Sequence, residues 1–178
     1  MKDHMQTIIN ACFAIFITVY IIQNDKLNEQ VELLNKEVEA ANVGLIKTLY
    51  SDYNTAFIKN DFPRIASHFE APVNFASNGI IAEKEKDVVE RYEVMKATIQ
   101  EGYAYSITGD VAIKRQSEKS YLLCADFTRI NKQKEVLFEG RAEYQWINFP
   151  DKGWKINYLK GIDRGSNPNC ILDGNKPF

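Results

Sequence analysis

The chain is poor in metal-holding residues. Its 178 residues include two histidines, His4 and His68, and three cysteines, none at a recognised ligand spacing. It also lacks a Gly-rich phosphate loop and a nucleophile elbow. Metal, nicotinamide and nucleotide cofactors are therefore not expected. Charge of one sign is missing too: the formal net charge is −2, which gives no electrostatic reason for a nucleic-acid partner.

One long hydrophobic run is present, Met5 to Ile22, without charge or proline and closed by Gln23, Asn24 and Asp25. An apolar run of about eighteen residues is long enough to cross a bilayer as a helix. No small-x-small cleavage site follows it, so the expectation is an uncleaved signal anchor over 1–23. A cleaved signal and a buried helix are the alternatives. Lys2 and the free amine favour a cytoplasmic N-terminus and an exported domain, in a bacterial periplasm or at a cell surface. Cys12 lies in this run, Cys124 in an expected strand and Cys170 in the tail. Two readings are open: a Cys124–Cys170 bridge, or a buried thiol and an exposed one.

From Leu27 the apolar residues alternate four and three apart: Leu27, Val31, Leu34, Val38, Ala41, Leu45. That is a heptad seam over a helical stalk, 24–44. It either pairs two chains as a short coiled coil or packs on its own domain. Gly44 is expected to break or kink the helix. Ile46, Leu49, Tyr50, Tyr53 and Phe57 then share one face of a helix ending near Asn60. Asp61 and Pro63 mark a short second helix. Pro72–Phe75 reads as a strand, Ser77–Gly79 as a turn, and 84–100 as a third helix stopped by Gly102.

After Gly102 the pattern is of strands: 103–107, 111–116, 121–130, 136–147 and 154–159, with Thr108-Gly109-Asp110 expected as a turn. Short polar turns imply antiparallel pairing. The tail, 163–178, reads as irregular. Helices, one early strand and a long meander make an α+β layout, with the domain over 45–162.

Within that layout four segments matter: Tyr53 to Asp61, His68 to Val73, Gly140 to Trp146, and Asp151 to Ile156. In order and spacing they resemble the NTF2-like (SnoaL-like) superfamily, in an uncharacterised bacterial branch. The resemblance implies a cone of three helices wrapped by a curved antiparallel sheet around a cavity. It also implies a choice of chemistries, since the superfamily includes cofactor-free isomerases, dehydratases and cyclases as well as binding and dimerisation modules. Ketosteroid isomerisation on this fold needs an aspartate base, a tyrosine and a protonated acid. Tyr53 matches the tyrosine and Glu143 falls near the acid, but the base position falls at Ala76-Ser77, where no carboxylate stands.

Strand alternation sorts the remaining candidates. Arg141, Glu143 and Gln145 share one face, and Ala142, Tyr144 and Trp146 the other, more naturally inward. Asp126 goes with Cys124 and Thr128, Arg129 with Phe127. Asp126 is either an acid/base in the cone or an outer-face partner of a neighbouring strand. His68 is either a base at the cone mouth or a structural histidine. The catalytic candidates are Tyr53, Asp126 and Glu143. The ligand-binding candidates are Tyr50, Phe57, Tyr92, Met95, Tyr144 and Trp146, with Tyr103 and Tyr105 also available. All of these have a plain alternative role in core packing. The expectation is a membrane-tethered homodimeric module that binds a hydrophobic small molecule or a partner, with a cofactor-free isomerase, dehydratase or cyclase as the alternative.

Overall fold

The computed structural model describes residues 2–163 and, in its first helix, the side chains of residues 16, 17 and from 20 onward. Contacts divide the chain into two units, Met1–Gly44 and Leu45–Phe178. The tail expected over 163–178 lies, from 164 on, outside the described residues.

The first unit is helical and belongs to α1 (Lys2–Lys59). The expected break at Gly44 does not occur. A helical glycine costs only about 1 kcal/mol relative to alanine, which helix-compatible neighbours on both sides outweigh. Among the described residues no helix is long and apolar enough to cross a membrane. The side chains of 5–15, 18 and 19 lie outside the described set. The described part of the run, Phe16, Ile17 and Tyr20–Ile22, is short and leads straight into Gln23–Lys26. The structure thus gives the transmembrane helix expected there no support.

The second unit is α+β. The last turns of α1 bury Ile46, Tyr50, Tyr53 and Phe57, a helical stripe of the expected kind. Asn60 at φ 58° ends the helix. The Asp61 carboxylate then accepts the Arg64 N–H at 3.1 Å and opens α2 (Phe62–Ala66). α3 (Glu85–Ala97) starts where the Asp87 carboxylate accepts the backbone N–H groups of Glu83 and Lys84 at 3.0 and 2.9 Å. It buries Val88 and Tyr92.

Six strands form one sheet: β1 (Phe69–Phe75), β2 (Ile80–Ala82), β3 (Tyr103–Ser117), β4 (Ser120–Asn131), β5 (Val136–Phe149) and β6 (Gly153–Asp163), in the order β2-β1-β6-β5-β4-β3. All pairs are antiparallel except β1 with β6. The expected turn at Thr108-Gly109-Asp110 is instead a bulge inside the single strand β3. Its register against β4 shifts between Thr108 and Val111, and a Cβ on Gly109 would stand 3.3 Å from Asp126 Cβ. A bulge absorbs the extra residue and bends the strand without ending it. The short β2 was not anticipated, because three residues after a turn carry no periodicity.

Trp146, Tyr121, Leu123, Ile156 and Val73 are almost fully buried, each at 1% exposure or less. Burying one such apolar side chain contributes roughly 1.5–3 kcal/mol. Gly140 is a packing requirement of another kind. A Cβ there would stand 2.6 Å from the Phe138 ring and 2.7 Å from the Phe127 ring. These two rings lie 5.9 Å apart and leave no room for a methyl group. We expect Gly140→Ala to lower stability by about 1–3 kcal/mol, the usual cost of overpacking, as read by chemical denaturation. An unchanged midpoint would show that the rings yield freely.

Candidate ligand-binding cavity

Between the end of α1, α3 and the concave side of the sheet, the second unit encloses a cavity of about 610 Å³. Volumes of a few hundred to a thousand cubic ångströms suit small organic ligands.

Its floor is aromatic. Tyr50 and Tyr53 come from α1, one helical turn apart. Tyr144 comes from β5 and packs edge-on against both, with ring centroids 5.2 and 5.5 Å away. Tyr92 of α3 supports the floor from behind: its hydroxyl lies 2.8 Å from that of Tyr53. Burial pushes the hydroxyls of Tyr53, Tyr92 and Tyr144 well above the ordinary tyrosine range, and that of Tyr50 upward. They stay protonated and act as neutral hydrogen-bonding groups. Phe57, Met95, Phe75 and Leu159 add apolar wall. Asn54 Nδ2 donates to Thr108 Oγ1 at 3.2 Å and ties α1 to β3 at the lining.

Three arginines line the cavity, Arg91, Arg129 and Arg141, and among the described residues no Asp, Glu or His lines it. Arg141 is engaged: its Nε and Nη2 donate to the two oxygens of Asp126 at 2.5 and 3.0 Å. Arg129 lies across two rings, 5.1 Å from the Phe127 centroid and 5.3 Å from that of Phe138. Its Nη1 donates to Gln100 Oε1 at 2.9 Å, while its buried Nε has no partner among the described residues. Nearby, the Lys96 ammonium stands over Phe57 and Tyr103, 4.2 and 4.4 Å from the centroids, and donates to the Phe57 carbonyl at 3.1 Å. Burial, with Arg129 as a second cause, pushes Lys96 down to about 8.

Of the three catalytic candidates, only Tyr53 lines the cavity. Asp126 is buried beside its cross-strand neighbour Arg141, with both oxygens in that pair. Glu143 is buried at 3% exposure. It lies in a cross-strand row with Cys124 and Lys160, on the face of β5 opposite Tyr144. The structure therefore does not gather Tyr53, Asp126 and Glu143 into one catalytic site. Strand alternation turns the two carboxylates away from the lining.

Tyr50, Phe57, Met95 and Tyr144 line the cavity; Tyr92 lies behind it and Trp146 deep in the core. Where an isomerase would carry its base, Ser77 instead binds β6. Its hydroxyl accepts the Gly161 N–H at 2.7 Å and donates to the Gly161 carbonyl at 3.0 Å. Cys124 is disulfide-bonded, and Cys170 lies outside the described residues. Among the described residues no cluster of His, Cys, Asp and Glu could hold a metal. Sequence reasoning missed Arg91, Ser106 and Thr108 as lining residues. Thr108 was hidden by the bulge, and Arg91 and Ser106 carry no motif.

Solved structures with this geometry fix the fold. A domain of unknown function with a cystatin-like fold from Nostoc punctiforme superposes with a TM-score of 0.59 at 16% identity, over 72% of this chain and 80% of that one. A hexachlorocyclohexane dehydrochlorinase from Novosphingobium barchaimii gives 0.60 at 15% identity, over 80% and 99%. An NTF2-like superfamily protein from Salmonella enterica serovar Typhimurium gives 0.54 at 14% identity, over 75% and 99%. No family model matches the chain, and no curated protein does. The fold is that of the NTF2-like and ketosteroid-isomerase-like α+β proteins.

His68 lies outside the cavity lining, 4% exposed, with its ring edge-on to Tyr53 at 6.1 Å. Its Nε2 lies 3.0 Å from Asp52 Oδ2, without the angle of a hydrogen bond. Desolvation lowers its proton affinity more than Asp52 raises it. The unfolded chain, with histidine near 6.5, then binds this proton more readily than the fold. Stability should be full above about pH 6.5 and fall as pH drops below it. Thermal melts from pH 7.5 to 5.5 should show that fall, and His68→Gln should remove part of it. An identical pH dependence in the variant would assign the loss elsewhere.

Proposed function

We propose that the second unit is a binding domain whose cavity takes up a small organic molecule with an apolar, ring-containing body. The observation that carries this reading is the lining itself: an aromatic floor and apolar walls, hydroxyl and guanidinium donors, and, among the described residues, no carboxylate or imidazole. Such a surface can enclose and orient a ligand, but it supplies no general base for abstracting a proton.

The cofactor-free isomerase, dehydratase or cyclase stays as the second reading, on the strength of the Tyr53–Tyr92 hydroxyl pair at the floor. One of the similar structures is a dehydrochlorinase by name. On that reading Tyr53 would donate to a developing oxyanion, and Tyr53→Phe would remove any turnover found.

The N-terminal run Met5–Ile22 supports a tethered form, with the first residues cytoplasmic and the second unit exported. The disulfide at Cys124 agrees with an oxidising compartment. The stalk supports pairing with a second copy. Leu27, Val31, Leu34 and Val38 are 50–59% exposed. Valines fall at a positions and leucines at d, the choice that favours two parallel strands. Asn24 falls at a further a position, where one asparagine fixes register. The flanking positions are Gln23, Asn28, Gln30, Asn35, Glu37 and Asn42, so two copies would bring no row of like charges together. Lys36 pairs with Glu32 on the outer side at 2.7 Å.

Two measurements follow. Thermal shift of the full chain with a panel of bicyclic aromatic compounds, neutral and anionic, should find members that raise the melting temperature. The effect should disappear in Met95→Trp, which fills the cavity; a panel without any effect would sink the binding reading. Sedimentation of the full chain in detergent should give a dimer, and Leu34→Asp a monomer. A monomeric wild type would end the pairing proposal.

A further inference from the structure

We propose that the molecule bound in this cavity is an organic anion, a carboxylate on a ring-containing body, and that Arg129 holds its charged group. This rests on the cavity being a ligand site and adds the chemical class of the ligand.

The argument begins with charge. A protein with a net charge of −2 has three arginines along one largely apolar cavity and, among the described residues, no acid in the lining. One of the three, Arg141, is neutralised by the bidentate pair with Asp126. Arg91, on α3, is half-buried and keeps access to water. Arg129 is half-buried as well, but its Nε is shut off from water. No ion pair to a carboxylate forms at it among the described residues; its neighbours are the Phe127 and Phe138 rings and the Gln100 amide. An arginine carries five N–H donors, and its one side-chain acceptor here is a neutral amide, Gln100. Its buried Nε goes unmatched. Burying a cation without a counter-charge is costly, so the fold keeps an unfilled demand for an anion at this point.

The surroundings sharpen that demand. Lys96, beside the same wall, is a second partly desolvated cation that feels Arg129. Its hydrogen bond goes to a backbone carbonyl, not to a carboxylate. Two rings hold the guanidinium from Phe127 and Phe138, and Gly140 leaves the space for those rings. The planar fork is thus fixed before a ligand arrives, which suits a carboxylate better than a flexible ammonium would. The aromatic floor lies within the same cavity, so one molecule can place its ring system on the tyrosines and its anion on Arg129.

Calorimetric titration of the full chain with 2-naphthoate and with 2-naphthalenemethanol tests this, because the two share a ring system and differ in charge. We expect the carboxylate to bind about tenfold tighter or more, as a charge-assisted bond in a desolvated site allows. Arg129→Gln should abolish that preference while leaving the alcohol within about threefold. Equal affinities in the wild type, or a preference that survives Arg129→Gln, would overturn the anion assignment and leave the cavity as a neutral-ligand site. Binding of neither compound would remove both readings together. Should Arg129→Gln fail to fold, the wild-type comparison decides alone. Arg129→Lys, which keeps the charge but not the fork, should retain part of the preference.

Discussion

The contact on which the second unit depends is the wedge of Tyr50, Tyr53 and Tyr144 between the end of α1 and strand β5. The rings meet edge-on at 5.2 and 5.5 Å, and Tyr92 locks Tyr53 from behind through a hydroxyl contact of 2.8 Å. Rings this large hold helix and sheet apart on one side while their edges close the gap on the other. Deep in the unit that gap is filled by Trp146, Tyr121 and Ile156. Toward Arg129 and Arg141 it stays open, and the opening is the cavity. Packing and site are therefore one feature: Tyr50, Tyr53 and Tyr144, backed by Tyr92, close the core, and the first three form the floor that a ligand would meet.

Charge then divides the sheet. On β4 and β5 the acids Asp126 and Glu143 are buried off the lining, while Arg129 faces the cavity. Alternation alone would permit this sorting or its reverse. Tyr144 and Trp146 decide it, because their bulk must point at the helices, and Glu143, one residue from Tyr144 and three from Trp146, must then point away. An enzyme that removes protons from carbon needs the opposite arrangement, with a carboxylate or imidazole facing its substrate. A cavity with Arg129 at its wall and its neighbouring acids turned away agrees with the anionic guest proposed above.

Much of the fold was legible in the residues. The stripe Ile46, Tyr50, Tyr53, Phe57 marked the inner face of the helix, Asp61 its successor's cap, and Gly102 the change to strands at φ 77°. These are local signals, carried by spacing and by single-residue stereochemistry. Where the reading departed from the structure, the deciding force was not local. Thr108-Gly109-Asp110 has the composition of a turn, yet pairing with β4 on both sides keeps it in the sheet as a bulge. Gly44 has the composition of a break, yet the helix on either side carries through. Asp126 was legible as a buried or paired acid. Its partner Arg141 is set by register, fifteen residues away in sequence.

The sequence by itself determined the helices, most of the strands and many of the faces they bury, because period, caps and turns act within a few residues. It also carried the heptad seam and the apolar run ahead of it, which are properties of composition along one helix. Only the tertiary structure decided that Tyr53 meets Tyr92 and Tyr144 and not a carboxylate. It alone decided that Ser77 is committed to β6, and that the Arg129 Nε is buried without a partner among the described residues. Those facts depend on the register of strands β4, β5 and β6 and on the approach of α3. Such long-range closures bring together groups that no spacing in the chain relates.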